Sequence, residues 1–164
     1  MEFQISPFEL LRAIANDKPG AVANIRESGA YPTIRGMVYF YQTLLGVVVI
    51  ASVSGLPAGR GRCGNIIFAM HIHSGGSCMG TPEDPFALAE GHYNPDNCPH
   101  PYHAGDLPPL FGNKGIAWSA FLTDRFRVGD VIGKTVIIHG SPDDFTSQPA
   151  GNSGEKIACG VIVR

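Results

Sequence analysis

Two histidines one residue apart, His71-x-His73, close the segment Ile66-Ile67-Phe68-Ala69-Met70-His71-Ile72-His73. The segment reads as a strand, and side chains alternate across a pleated strand, so both imidazoles stand on one face and can close on one ion. Histidine is the commonest biological metal ligand. All six histidines fall between residues 71 and 139, and with one aspartate they run His71-x-His73, His92, His100-x2-His103-x2-Asp106, His139. The second set lies among prolines and glycines, the pattern of a loop folded back around another ion. The fold must therefore draw separate segments together, and the chain reads as a holder of two metals.

At 164 residues the chain fits one domain and is long enough to bury a substantial core without a metal. Charged residues make up 16% of it, while glycine (21) and proline (13) are abundant. That balance favours short strands joined by turns and ordered loops, hence an all-β domain. A net charge of -2 gives no reason to expect nucleic acid or an anionic membrane as partner.

The segment Met1 to Gly20 carries Glu2, Glu9, Arg12, Asp17 and Lys18 and has no apolar stretch of the kind a secretory signal needs. As given, the chain reads as cytoplasmic, or as periplasmic or extracellular if a signal was removed. The most apolar run, Leu44 to Val53, is far too short to span a bilayer. Its β-branched residues and the following Gly55 and Pro57 mark a buried strand.

Ser6-Pro7-Phe8-Glu9 has the form of a helix start, with Ser6 as N-cap, Pro7 at the first helical position and Glu9 completing a capping box. The helix should cover residues 7–16 and end before Pro19-Gly20. Strands are expected near 21–26, 36–42, 45–54, 64–73, 115–123, 131–139 and 157–163. In Ile116 to Leu122, Ile116, Trp118 and Ala120 fall on one face and Ala117, Ser119 and Phe121 on the other. Two stretches break the β rhythm, Ser74 to Phe111 and Gly140 to Glu155, and loops of that length in a compact domain are usually functional. A single β-barrel or sandwich with two large loops over one end is the resulting plan.

The segments FAMHIH (68–73), GHYNP (91–95), HAGDLP (103–108), VIGKTVIIH (131–139), PDD (142–144) and GNSGEKIACGVI (151–162) resemble the copper/zinc superoxide dismutase family. The likeness spans about residues 21–164 in the right order. It implies a flattened Greek-key β-barrel, an immunoglobulin-like sandwich, with long metal-binding and electrostatic loops. Residues 1–20 then form an N-terminal helical extension that the resemblance does not reach.

Carried over residue by residue, the resemblance implies copper bound by His71, His73, His92 and His139, and zinc bound by His92, His100, His103 and Asp106. His92 would serve both ions through its two ring nitrogens. Asp143 matches the family's aspartate that accepts hydrogen bonds from the outer nitrogens of His71 and His100, fixing tautomer and ring direction. The implied activity is disproportionation of superoxide to dioxygen and hydrogen peroxide by one-electron cycling of the copper, with His92 delivering a proton. A homo-oligomer, a dimer, is the implied assembly.

In the family an arginine stands three positions before the last cysteine and guides the anion. Here that position is Lys156, which keeps the charge but not the planar fork, so the exchange is not conservative. A slower enzyme rather than an inactive one is expected. The metal loops are also short, with four residues between His73 and Cys78 and two between His100 and His103.

Cys78 and Cys159 match the family's intrasubunit disulfide, against the alternative of two buried reduced thiols. Cys63 and Cys98 have no such match, and Cys98, two residues before His100, is a rival zinc donor. Asp106 and Asp143 could each be simple turn residues, and Lys156 a solvated lysine, outside this motif context. Trp118 and Tyr39 read first as packing residues, although an exposed aromatic row would mark a subunit contact. Two function classes follow: a copper/zinc superoxide dismutase, or a non-catalytic protein of the same fold that binds zinc or buffers copper.

Overall fold

The computed structural model describes residues 6–59, 63–64 and 66–164. Helix α1 spans Pro7–Asn16, and Ser6 Oγ accepts from Phe8 N at 3.3 Å, as an N-cap should. The Glu9 half of the expected capping box lies outside the described side chains. Nine strands follow among the described residues: β1 Ala21–Glu27, β2 Arg35–Thr43, β3 Gly46–Ser54, β4 Ile67–Phe68, β5 Met70–His73, β6 Leu110–Phe111, β7 Ile116–Thr123, β8 Thr135–His139 and β9 Lys156–Val163. A short helix, α2 (Val128–Val131), precedes β8.

Seven strands form one antiparallel sheet in the order β5-β8-β9-β1-β2-β3-β7, and β4 pairs with β6 in a second, two-stranded sheet. The alternation expected of half-buried strands decides which way the large sheet faces. Ala21, Ala23 and Ile25 of β1, Val38 and Phe40 of β2, and Val47, Val49, Ala51 and Val53 of β3 are all buried in one core. Phe40 is fully buried and meets Phe126 edge to face, ring centroids 6.4 Å apart. Burying a ring of that size contributes about 1.5–3 kcal/mol. The β2–β3 hairpin turns at Gly46, whose φ of +136° and whose approach to Thr123 O, 2.4 Å from where a Cβ would stand, admit only glycine.

Two expected strands differ in detail. The stretch 64–73 is split at Ala69, whose N–H donates to Ser141 O and whose carbonyl accepts from His139 N, both at 2.9 Å. The backbone there changes partners, from β6 to β8, so one strand becomes two. The stretch 131–139 begins with the end of α2, because Asp130 Oδ2 accepts from Arg127 N at 2.8 Å and caps a helical turn. Gly133, at φ +82°, ends that turn, and β8 starts at Thr135.

No described helix is long and apolar enough to cross a membrane. The outer face of β7 carries Ile116, Trp118 and Leu122, which are 58%, 65% and 42% exposed, so Trp118 points away from the core rather than packing within it, while Phe121 on the other face packs against the core.

Candidate metal centre

Strands β5 and β8 are adjacent at one end of the sheet, which brings His71 and His73 beside His139. The long loop after β5 then returns to β5 itself. Ser74 N donates to Gly91 O at 2.9 Å, Tyr93 N to Ile72 O at 2.8 Å, and Ile72 N to Gly105 O at 2.8 Å. Bridges His73↔His92 and His71↔Asp106 result, and they place the loop histidines against the strand histidines. Gly105 is required, since a Cβ there would stand 2.3 Å from Ile72 O.

Two groups of donor atoms converge, His71, His73, His92 and His139 in one and His92, His100, His103 and Asp106 in the other, each within 4.8 Å of one another. These are the two sets expected from the sequence, with His92 common to both. Cys98 is in neither; the side chain of Asn94 holds its backbone, donating to Cys98 O at 2.8 Å and accepting from Cys98 N at 2.9 Å.

The outer nitrogens are already taken. Asp143 lies between the two sets and accepts from His71 Nε2 at 2.7 Å through Oδ2 and from His100 Nε2 at 2.8 Å through Oδ1. His73 Nδ1 donates to Glu90 O at 2.7 Å, and His139 Nδ1 to Gly154 O at 3.3 Å. Each ring is thereby turned to present its other nitrogen to the centre. Among the described residues, His71 Nδ1, His92 Nε2 and His100 Nδ1 are buried side-chain atoms with no hydrogen-bond partner. A buried, unpartnered imidazole nitrogen is costly unless a cation fills its lone pair, so the residues fit metal ions at both sets.

Electrostatics agree. Burial pushes His73 down to about 3 and His139 down to about 4, and it lowers His71 further, with the neighbouring imidazoles adding to the effect. Neutral imidazole is the metal-binding form. Burial alone would raise Asp106, but the hydrogen bond from His92 and the surrounding rings outweigh it and hold the carboxyl below the usual range. His92 Nδ1 lies 2.7 Å from Asp106 Oδ1.

A cleft of 410 Å³ opens onto the first set, lined by His73, His92, His139, Glu90 and Lys156 among others. Lys156 lines this cleft, and its Nζ donates to Asp84 Oδ2 at 2.7 Å and to Phe86 O at 3.3 Å. Cys78 and Cys159 are joined by a disulfide, Cα atoms 5.7 Å apart. With Phe86, Ala89 and Ile137 they form a small apolar cluster that ties the metal loop to β8 and β9. Cys63 and Cys98 are free thiols.

Several supporting residues carry no sequence signal. Glu90 and Gly154 act through backbone carbonyls, which any residue possesses. Gln148 clamps His100 by accepting from its N at 3.0 Å and donating to its O at 2.7 Å, and Asp84 reaches Lys156 across 72 positions. Only the fold brings these together.

Fold and site define a β-sheet metalloprotein built to hold two adjacent ions through a shared histidine. The model of the copper/zinc superoxide dismutase family matches residues 34–162. A copper/zinc superoxide dismutase of Aquifex aeolicus is 37% identical over 145 residues, 77% of this chain and 79% of that protein. One of Legionella pneumophila is 34% identical over 158 residues, 92% of this chain and 89% of that protein. The solved copper/zinc superoxide dismutase of Brucella abortus shares the fold, with a TM-score of 0.71 at 23% identity, covering 86% of this chain and 98% of its own. The chain belongs to the copper/zinc superoxide dismutase family.

Proposed function

We propose that the protein disproportionates superoxide to dioxygen and hydrogen peroxide, with copper in the set His71, His73, His92 and His139 and zinc in the set His92, His100, His103 and Asp106. The single observation that carries this reading is the position of His92, which belongs to both sets, with Nδ1 beside Asp106 and Nε2 buried without a protein partner. Copper held by His71, His73, His92 and His139 would supply the one-electron couple, and zinc held by His92, His100, His103 and Asp106 would steady the shared ring.

The chain's own residues do the rest. His71 offers Nδ1 to the copper set, while His73 and His139 offer Nε2, because their other nitrogens are held by Asp143, Glu90 O and Gly154 O. Three imidazoles and a carboxylate suit tetrahedral zinc. His92 Nε2 has no protein partner, so it can hold a proton and hand it to the reduced substrate. Lys156 adds a positive charge to the lining of the cleft, which favours entry of a small anion.

Further parts of the proposal concern assembly and place. The outward row Ile116, Trp118 and Leu122 is the surface that a second copy would cover in a homodimer, and Trp118→Glu should shift the mass in solution to that of a monomer. The Cys78–Cys159 bond favours an oxidising compartment, periplasmic or extracellular. Residues 1–20 are read as an extension to a dismutase domain of residues 21–164, since α1 precedes both β1 and the matched span.

Anomalous scattering at the copper and zinc absorption edges of a crystal tests the metal assignment. Copper at the His139-containing set and zinc at the Asp106-containing set are expected, and the reverse order would overturn it.

A further inference from the structure

We infer that Arg125 is a positioning residue for the zinc set, holding by its guanidinium the loop that carries His100, His103 and Asp106. The inference rests on the reading of that set as the zinc site. One nitrogen, Arg125 Nη1, donates to three backbone carbonyls, Pro101 O at 3.2 Å, His103 O at 3.2 Å and Asp106 O at 3.1 Å. Two of these belong to ligand residues, and the third follows His100 directly.

Three carbonyl oxygens converging on one point repel one another unless a cation or water lies among them. A guanidinium stays charged at every working pH, and hydrogen bonds from a charged donor are about twice as strong as neutral ones. Arg125 therefore fixes the backbone of a loop only seven residues long, 100–106, against the sheet edge.

Its own placement is anchored. Thr123, the last residue of β7, accepts from Arg125 N at 3.3 Å through Oγ1. The next residue, Phe126, is buried and packs edge to face on Phe40. From the opposite side the loop is held by Asp143 on the His100 ring and by Gln148 on the His100 backbone. On the His103–Asp106 half, Gly105 is bonded to Ile72 and Tyr93, both at 2.8 Å, and His103 and Asp106 are bonded to each other, Asp106 N to His103 O at 3.2 Å and His103 N to Asp106 Oδ2 at 3.0 Å. Arg125 adds the hold on the carbonyls of the two ligand residues themselves.

The test compares the full-length parent with Arg125→Gln and Arg125→Lys. It reads zinc affinity by chelator competition, the visible spectrum of cobalt placed in the zinc set, and the melting temperature of the metal-free protein. Arg125→Gln is expected to weaken zinc by about 10–100-fold and to alter the cobalt bands, with copper affinity and metal-free melting unchanged. Arg125→Lys, which keeps a donor and the charge, should recover part of the loss. Zinc bound as tightly by Arg125→Gln as by the parent would overturn the inference. So would a loss of zinc affinity matched by an equal loss of metal-free stability, because that marks a purely structural role. A parent that binds no zinc would instead overturn the zinc assignment itself.

Discussion

Lys156, which lines the cleft beside His73, His92 and His139, has its Nζ 2.7 Å from Asp84 Oδ2. The lysine side chain is 18% exposed and the aspartate 44%, so the positive charge of Lys156 is partly offset by a more solvated partner. Asp84 and Lys156 thus set the field met by an incoming anion together. Lys156→Gln is expected to lower kcat/KM for superoxide by about tenfold and to flatten its dependence on ionic strength. Asp84→Asn is expected to raise kcat/KM and steepen that dependence. Pulse radiolysis over a range of salt concentrations measures both, and a fall in the Asp84→Asn rate would show that the aspartate serves to hold the lysine in place instead.

Asp143 joins the two sets by accepting from His71 and His100 at once. An amide can accept on one side only, so Asp143→Asn should weaken metal binding by about 10–100-fold. Gly151→Ala should act in the same way, since its Cβ would fall 1.9 Å from Asp143 Oδ1 and 2.6 Å from His100 Nε2 at a φ of +65°. Gly129→Ala meets nothing within 4 Å and is the control, with metal affinity by competition as the readout.

The Cys78–Cys159 bond closes a loop of sequence separation 81. In the chain-entropy view a loop of that size stabilises the fold by about 4 kcal/mol. Reduction, or the double change Cys78→Ala and Cys159→Ala, should lower the denaturant midpoint accordingly. An unchanged midpoint would mean that the cluster of Phe86, Ala89 and Ile137 holds the loop without the bond.

The metal-free protein should lose stability on acidification. His73 and His139 sit at about 3 and about 4 in the folded state, chiefly through burial, against 6.5 when unfolded, with His71, His92 and Lys156 the charged or titratable groups facing them. Between those values the unfolded chain binds more protons, so stability rises with pH. It is fully present above about 6.5 and is lost as pH falls toward 4 and then 3. The urea midpoint of the metal-free protein should drop between pH 7 and pH 5, and a rise would contradict this.

The donor residues were legible as a cluster because part of their chemistry is local, while their division into two sets sharing His92 came from the family resemblance. His71-x-His73 needs only the pleat of a strand to face one ion, and the seven donors read from the sequence are the seven that converge. The Cys78–Cys159 pair was legible through the family motifs, and the strand plan through alternation and β-branched runs bounded by turn residues. The break at Ala69 was not, because it arises from hydrogen bonds to His139 and Ser141, far along the chain. Nor were Asp84, Gln148 and Arg125, each of which acts on a residue brought near only by the fold. The outward direction of Trp118 depends on which face of β7 meets the core, and alternation alone leaves both choices open.

Superoxide consumption by protein loaded with copper and zinc, measured beside His139→Ala prepared in the same way, bears most directly on the function. The parent should convert two superoxide ions and two protons into one dioxygen and one hydrogen peroxide at a rate far above the control. Consumption no faster than that of His139→Ala would contradict the dismutase reading and leave a metal-binding protein of the same fold.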